Sequence, residues 1–208
     1  MKKKVDIVQE LWNSKFSRDG FLYGTEVNSF IKENSHLIEK NTKVLCLGEG
    51  EGRNALFLAK KGLHVEALDA SDVGLKKLQR RALEENCAIT IRHTLLENWQ
   101  ALHKYDVIIS TFMHLERKDQ KDMFIKAIGA LKENGYFIAE FFSVDQINFI
   151  SGGPKDTNLL YQLDELYELF SSLPCTIHKL SQEIIMLNEG KGHKGEASVI
   201  RVVLKRWI

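Results

Sequence analysis

The sequence contains few prolines and cysteines and no long apolar run. Two of its 208 residues are proline (Pro154 and Pro174), and three are cysteine (Cys46, Cys87 and Cys175). Three scattered cysteines are too few for a disulfide framework or a zinc site, which favours a reducing compartment. No stretch approaches the ~18 consecutive apolar residues of a membrane span. We therefore expect a cytoplasmic protein without a membrane segment.

An excess of either charge is also missing. Twenty-nine lysines and arginines stand against 28 aspartates and glutamates, a formal net charge of +1. A strong overall charge is what draws a protein to nucleic acids or anionic membranes. The run Lys2–Lys4 resembles the start of a signal peptide, but Asp6 and Glu10 interrupt the apolar segment that export requires. We expect a small-molecule substrate, no nucleic-acid or membrane partner, and a monomer or a homodimer.

Strand and helix patterns alternate along most of the chain. Short apolar runs predict parallel strands, and amphipathic segments between them predict helices. The strands are expected at 44–47, 64–69, 88–92, 105–110 and 135–142, and the helices at 52–61, 71–86 and 119–131. Strands joined by helices need right-handed crossovers, which predicts an α/β fold with a doubly wound, mostly parallel sheet. Two further runs, 176–187 and 197–206, predict a C-terminal antiparallel hairpin and bring the strands to seven.

The strongest motif is a glycine-rich turn after the first predicted strand. Gly48, Gly50 and Gly52 form a G-x-G-x-G pattern before the following helix. Glycines there allow a sharp turn and close approach of a ligand, at the sheet edge where open α/β folds bind ligands. The dinucleotide fingerprint would need a further glycine at position 53, which is Arg53. The spacing favours a nucleoside ligand other than NAD, with a simple tight turn as the alternative.

The charge of this turn favours a cationic ligand. Glu49 and Glu51 would repel a pyrophosphate, whereas S-adenosylmethionine carries a net positive charge. Asp69 lies at the end of the second predicted strand, where an acid can accept both hydrogen bonds of a ribose diol. The alternative role of Asp69 is to support the start of the next helix together with Ser71, the predicted N-cap.

Taken together, the motifs resemble those of class I S-adenosylmethionine-dependent methyltransferases, over nearly the whole chain. The resemblance rests on the strand with GxGxGRN, the acid after the second strand, Tyr105–Ser110 followed by His114, and Gly135–Ile138. Within the class, the chain is similar to the small-molecule group around the tellurite-resistance and thiopurine methyltransferases. The segments that carry this closer similarity are Trp12–Phe16, Tyr23–Gly24, Gly152–Pro154 and Glu189–Gly195.

The resemblance implies a set of cofactor contacts for S-adenosylmethionine. The predicted cofactor-binding residues are Gly48, Glu49, Gly50 and Gly52 against the methionine part, Asp69 on the ribose, Ala70, Leu95 and Leu96 beside the adenine, and Ser110. Two acids common in the class are absent, because Cys46 stands in the first strand and Leu95 after the third. A catalytically silent cofactor-binding protein is therefore one alternative, and an NAD-linked oxidoreductase is another.

Methyl transfer requires a nucleophile positioned opposite the leaving sulfur, with water excluded. His114 is the predicted general base for an alcohol or amine, because imidazole titrates near neutral pH, unless it only packs or caps a helix. Tyr23 is predicted to close over the reacting group, or simply to pack. Arg53, Pro154 and Lys155 are predicted to bind substrate, the last two on a lid loop. A thiol or a chalcogen oxyanion would need little base catalysis.

Missing motifs exclude several other chemistries. No Pro-Pro run follows the fourth strand, unlike in the methyltransferases that act on adenine or glutamine amides. Cys175 follows Pro174 at the start of the terminal hairpin, and we expect a buried strand residue there rather than a nucleophile. The histidines lack H-x-x-x-H and H-E-x-x-H spacing, so no metal site is expected.

The length favours one domain over 1–208, at ~150 residues per domain. Its expected parts are an N-terminal helical cap (1–41), a cofactor-binding core (42–145), and a lid loop, helix and hairpin (146–208). Helical spacing predicts helices at 5–16, 26–38 and 163–171. The loop with Gly190, Gly192 and Gly195 is expected to be the most flexible part.

Overall fold

A computed structural model of the protein describes residues 4–207. The strands are β1 Lys43–Leu47, β2 His64–Asp69, β3 Ile89–His93, β4 Tyr105–Thr111, β5 Leu131–Phe142, β6 Cys175–Glu189 and β7 His193–Arg206. The α-helices are α1 Lys4–Phe16, α2 Ser29–Asn34, α3 Arg53–Lys60, α4 Asp72–Glu84, α5 Arg117–Ala130 and α6 Leu163–Ser171. Lys2 and Lys3, which begin the expected export-like run, lie outside the described residues.

The seven strands form one sheet in the order β3-β2-β1-β4-β5-β7-β6. Strands β1 to β5 pair with one another in parallel, and β7 is antiparallel to both β5 and β6. This confirms the predicted α/β fold, with its mostly parallel sheet and C-terminal hairpin. The chain leaves β1 in one direction to β2 and returns on the other side to β4. Ligands of open α/β folds bind at such a switch point, outside the carboxyl ends of the strands.

Helices cover both faces of the sheet. On β1, Leu45 and Leu47 pack in the core beneath α5 and α6, whereas Val44 and Cys46 pack in the core beneath α2, α3 and α4. Side chains alternate between the faces of a strand, so a strand buried on both faces needs an uninterrupted apolar sequence. The apolar run at 44–47 therefore indicates a strand that is buried on both faces. Burial on both faces also explains why Cys46 lies in the core. Cys175 is also buried, at the start of β6.

The helix predicted at 26–38 is shorter than expected. The structure has α2 at Ser29–Asn34, followed by a 3₁₀ turn at Ser35–Leu37. The side chain of Asn28 caps α2 by accepting a hydrogen bond from the backbone N–H of Ile31 at 3.1 Å. Asn28 also donates to Glu140 of β5 at 2.7 Å. The start of the helix is thus set by a contact with a distant strand, which periodicity along the chain does not reveal.

The hairpin loop is packed, contrary to the expectation that it is the most flexible part. Strand pairing continues to Glu189 and His193, which leaves only 190–192 as the turn. The backbone N–H of Gly192 donates to the carbonyl of Leu22 at 2.9 Å. A side chain at Gly190, whose φ is +62°, would collide with the backbone of Gly24. The glycines allow the hairpin tip to dock closely on the segment after α1.

Helix α1 is attached to the start of α4 by a small polar cluster. The hydroxyl of Ser71 donates to Asn13 Oδ1 at 2.6 Å, and Asn13 Nδ2 donates to Asp72 at 2.8 Å. Ser71 caps α4, as predicted, by accepting from the N–H of Gly74 at 3.0 Å. This cluster places α1 across the carboxyl end of the sheet.

Candidate active site

A cavity of about 340 Å³ lies at the carboxyl ends of β1, β2 and β4. Its volume falls within the ~300–1,000 Å³ typical of small-molecule sites. One side is built by the segments that follow the parallel strands, which are 48–54, 68–70, 94–97 and 111–116. The other side is built by α1, residues 23–24, Pro154, Leu159 and His193. Segments from the N-terminal and C-terminal parts of the chain thus meet the centre of the sheet around one cavity.

The glycine turn has a backbone that side chains disfavour. Gly48, Gly50 and Gly52 have φ values of +64°, +60° and +90°, in the left-handed region that glycine adopts freely. Asp69 holds the turn, because its Oδ2 accepts from the N–H of Gly50 at 2.8 Å. Its Oδ1 accepts from the N–H of Ser71 at 2.7 Å. Asp69 therefore connects the glycine turn to the start of α4.

Asp69 keeps the capacity to bind a ribose diol. A carboxylate has about four acceptor positions, and these two backbone hydrogen bonds occupy two of them. Burial raises the pKa of Asp69, and the hydrogen bonds from Ser71 and Gly50 oppose that rise. The two roles considered from the sequence, helix-start residue and diol acceptor, are therefore compatible in one side chain. Ala70, Leu95 and Leu96 line the same part of the cavity.

The turn is less acidic than its sequence suggests. Glu49 accepts from the N–H of Ala55 at 2.7 Å and so caps α3. Burial raises the pKa of Glu49 to about 7, against the hydrogen bond from Ala55 and the charge of Arg53. Glu51 forms an ion pair with Lys77 at 2.7 Å. The two carboxylates thus have partners of their own, and the glycine backbone together with Asp69, rather than negative charge, is what fits S-adenosylmethionine.

Two stacked rings, those of Trp12 and His114, line one wall of the cavity. Trp12 of α1 stacks on His114 with ring centres 5.8 Å apart, and His114 stacks on Phe142 at 6.1 Å. Burial lowers the pKa of His114 to about 3, and the charges of Lys15 and His193 add to this. His114 lies in the cavity as predicted, but it does not titrate near neutral pH, which was the reason to expect a general base. It is a neutral, weakly basic part of the wall.

Tyr23 and His193 form the wall nearest the hairpin tip. Their ring centres are 4.3 Å apart, and Phe112 lies 4.5 Å from His193. Burial raises the pKa of Tyr23 to about 12. His193 Nδ1 lies 3.1 Å from Glu189 Oε2, and burial lowers the pKa of this histidine despite that contact. The segment Glu189–Gly195 alone does not reveal the role of His193, because the rings that pack against it, Tyr23 and Phe112, are far away in the chain.

Arg53 lies in the cavity wall but is already paired. Its Nη2 lies 2.8 Å from Glu189 Oε2. Burial acts to raise the pKa of Glu189, but the hydrogen bond from His193 and the charge of Arg53 lower it to about 2. The guanidinium therefore has a permanent carboxylate partner, which argues against the predicted role of Arg53 as an anion-binding residue.

Two predicted site residues do not reach the cavity, and these assignments are corrected. The hydroxyl of Ser110 donates to the carbonyl of Leu47 at 3.3 Å inside the sheet, where the side chain is buried. The ammonium of Lys155 donates to the carbonyl of Phe149 at 2.7 Å on the surface. Pro154, its neighbour, does line the cavity. The position of a residue at the carboxyl edge of the sheet does not reveal where its side chain points.

Neither a metal centre nor a membrane segment is found in the part of the chain that the structure describes. Within residues 4–207, no three His, Cys, Asp or Glu side chains are placed to hold a metal ion. No helix among these residues is long and apolar enough to cross a membrane.

A sheet of this strand order, with a glycine turn after β1 and an acid at the end of β2, defines a class I S-adenosylmethionine-dependent methyltransferase. Residues 15–148 match the family of the tellurite resistance protein TehB. This match covers more than half of the 208 residues, and the chain belongs to the TehB family.

Solved structures share the fold. The chain is similar to TehB from Haemophilus influenzae, with a TM-score of 0.71 and 20% identity over 95% of this chain and 66% of that one. It is also similar to magnesium protoporphyrin IX methyltransferase (ChlM) from Synechocystis PCC 6803 with bound S-adenosylmethionine. That TM-score is 0.69, with 16% identity over 99% and 98% of the two chains.

Two curated relatives are methyltransferases. The ubiquinone biosynthesis O-methyltransferase of Rickettsia felis is 24% identical over 86% of this chain and 80% of its own length. The release factor glutamine methyltransferase of Flavobacterium psychrophilum is 32% identical over 101 residues, which are 47% of this chain. The chain spans only 35% of the length of that relative and 66% of the H. influenzae TehB chain.

Proposed function

We propose that the protein transfers the methyl group of S-adenosylmethionine to a small-molecule nucleophile, either a thiol or a chalcogen oxyanion. The observation that carries the proposal is the enclosed cavity, which joins the glycine turn and Asp69 to an aromatic wall within about 340 Å³. α1 and the hairpin tip form one side of this space, and its size suits a small acceptor. Exclusion of water on binding would favour methyl transfer over side reactions.

The residues that follow β1, β2 and β3 would hold the cofactor. We assign the glycine turn to the methionine part, Asp69 to the ribose, and Ala70, Leu95 and Leu96 to the adenine. When bound, S-adenosylmethionine supplies an electrophilic methyl group on a positively charged sulfur. Tyr23 and His114 then contribute by packing around the acceptor and by orienting it.

The pKa values of the side chains that line the cavity favour an acceptor that loses its proton without a general base. The pKa of Tyr23 is about 12 and that of His114 is about 3, so neither accepts a proton effectively near neutral pH. His193 is tied to Glu189 and also has a lowered pKa. A thiol, with an ordinary pKa of ~8.5, needs less help than an alcohol or an ammonium group. The name of the TehB family, which refers to tellurite resistance, agrees with a chalcogen acceptor.

Binding and turnover test the proposal separately. Calorimetric titration with S-adenosylmethionine and S-adenosylhomocysteine should show binding of both, weakened at least about tenfold in Asp69→Ala. Asp106→Ala is a matched control, because Asp106 lies at the amino end of β4, where it accepts from the N–H of Lys43. Unchanged affinity in Asp69→Ala would leave this residue as a helix-start residue only.

Methyl transfer is then measured by mass spectrometry on thiols, tellurite, an alcohol and an amine. We expect methylated thiol or tellurite products and little product from the alcohol and the amine. Cofactor binding without any methylated product would favour the catalytically silent protein.

A further inference from the structure

One cation faces the cavity without a carboxylate partner. Lys15, near the end of α1, lines the cavity, and its Nζ lies 4.4 Å from the centre of the Trp12 ring. Among the residues that the structure describes, no carboxylate oxygen lies within ion-pair distance of this ammonium group. Arg53 is neutralised by Glu189, and Lys155 is turned toward Phe149 on the surface.

The charged groups around Lys15 leave it as a local centre of positive charge. Its charge contributes to the lowered pKa of both His114 and His193, so its ammonium group acts on the same space as these rings. Burial lowers the pKa of Lys15, and the nearby charge of Arg18 adds to this. A partly desolvated ammonium without a counter-ion is unfavourable, and a bound anion would relieve that cost.

The carboxylates that line the cavity have interactions of their own. Glu49, Glu51 and Asp69 belong to the cofactor side and are held by backbone N–H groups or by Lys77. Glu97, Glu116 and Asp119 line the cavity from the segments after β3 and β4, and each has interactions of its own. Lys15 is not an ion-pair partner of any of these carboxylates among the residues that the structure describes.

Much of the cavity lining is apolar. Val8, Leu11 and Trp12 lie at helical spacing from Lys15 on α1 and line the cavity with it, and Met113, Leu115 and Leu159 line it from other segments. An inorganic oxyanion would satisfy the ammonium but would leave these apolar groups without a partner. An organic molecule with an apolar body and one negative group matches both features.

We propose that Lys15 determines acceptor specificity by binding a carboxylate or similar anionic group on an organic thiol whose apolar body packs against Trp12 and the neighbouring side chains. This inference rests on the proposed methyl transfer, whose acceptor it narrows. It also gives α1 a role in recognition, besides covering the cavity.

A matched pair of thiols tests the assignment. 4-(Mercaptomethyl)benzoate and phenylmethanethiol differ only in the carboxylate, and the thiol of each is largely neutral at neutral pH. Their dissociation constants are measured by calorimetry on protein saturated with S-adenosylhomocysteine, which has no methyl group to transfer. We expect the carboxylate to strengthen binding to the wild type at least about tenfold. Lys15→Gln should abolish the difference, and Lys15→Arg should largely retain it.

Lys155→Gln is the control, since it removes a surface lysine that does not reach the cavity. All variants should bind S-adenosylhomocysteine with wild-type affinity, which shows that they are folded. Failure of the wild type to bind S-adenosylhomocysteine would overturn the proposed function itself. If S-adenosylhomocysteine binds, equal affinity for the two thiols, or a preference that survives in Lys15→Gln, overturns the inference about Lys15. Binding of tellurite more tightly than the carboxylate thiol would overturn the assignment of an organic acceptor.

Discussion

Arg53 at the start of α3 and Glu189 at the end of β6 form an ion pair of 2.8 Å, and their side chains are 9% and 11% exposed. The pair connects the cofactor-side helix to the hairpin tip. Because Glu189 also contacts His193 and accepts from Asn28 at 3.0 Å, one carboxylate holds three elements around the cavity.

Glu189→Gln should therefore destabilise the protein. Removal of one partner leaves Arg53 buried without a counter-charge, which typically costs about 3–5 kcal/mol. The free energy of unfolding from urea titration measures this loss. Glu196→Gln, on an exposed position of β7, is the control and should change it by less than about 0.5 kcal/mol. Equal stability of the two variants would show that the ion pair does not hold the hairpin tip.

The buried carboxyl of Glu49 should produce a pH dependence of stability. Its pKa rises from 4.5 to about 7 on folding, so between these values the folded protein binds more protons than the unfolded chain. The contribution of Glu49 to the free energy of unfolding should consequently fall as the pH increases through this interval and level off above it. Between the two pKa values, each pH unit lowers this contribution by about 1.4 kcal/mol.

Glu49→Gln isolates this effect, because the amide oxygen can still accept from the N–H of Ala55. The difference in unfolding free energy between wild type and Glu49→Gln should change steadily from pH 4.5 to about 7. Urea titrations across this range measure it. A difference that is independent of pH would mean that folding does not raise the pKa of Glu49.

His114→Gln should retain most of the methyl transfer to a thiol. Removal of a true general base typically reduces the rate by ~10²–10⁴-fold. Since the neutral imidazole of His114 already lacks basicity, we expect kcat to fall by less than about tenfold, with no change in the shape of its profile between about pH 6 and 8. His178→Gln, at an exposed position of β6, serves as the control. If kcat fell a hundredfold or more and recovered at high pH, His114 would be the general base after all.

Two glycines with similar backbone angles allow the energetic cost of backbone strain to be measured separately from that of steric crowding. Gly52 and Gly62 have φ values of +90° and +81°, but a side chain at Gly52 would collide with Leu78, whereas nothing lies within 4 Å at Gly62. Gly62→Ala should lower the free energy of unfolding by ~1–2 kcal/mol through backbone strain alone. Gly52→Ala should cost a further ~1–3 kcal/mol because of overpacking. Equal losses in urea titration would mean that Leu78 moves aside freely.

The fold and the cofactor end could be predicted from short segments of sequence. A strand buried on both faces is visible in 44–47 alone, and the turn at Gly48, Gly50 and Gly52 contains its own geometric reason for glycine. Ser71 accepts from the N–H of Gly74, and Asp69 accepts from the N–H of Ser71, each within a few residues along the chain. Each of these features depends on neighbours in the chain, which is what a linear pattern records.

The acceptor end could not be predicted in the same way. The partner of Arg53 is 136 residues away, and the hairpin tip docks on Leu22 through a backbone hydrogen bond. Ser110 and Lys155 were placed at the correct edge of the sheet, but each side chain donates to a carbonyl away from the cavity. Lys15 belongs to no recognisable sequence motif. Its proposed role in acceptor recognition follows only from the charges and apolar groups that surround it in the folded protein.

The two walls of the cavity come from different parts of the chain. The cofactor side is assembled from the loops between residues 48 and 97, whereas Trp12, Lys15, Tyr23 and His193 come from the two terminal segments. Under the proposed function, substitutions in the terminal segments should therefore alter acceptor recognition and leave the cofactor loops intact. Such a division means that the acceptor side of the cavity can change without rebuilding the glycine turn.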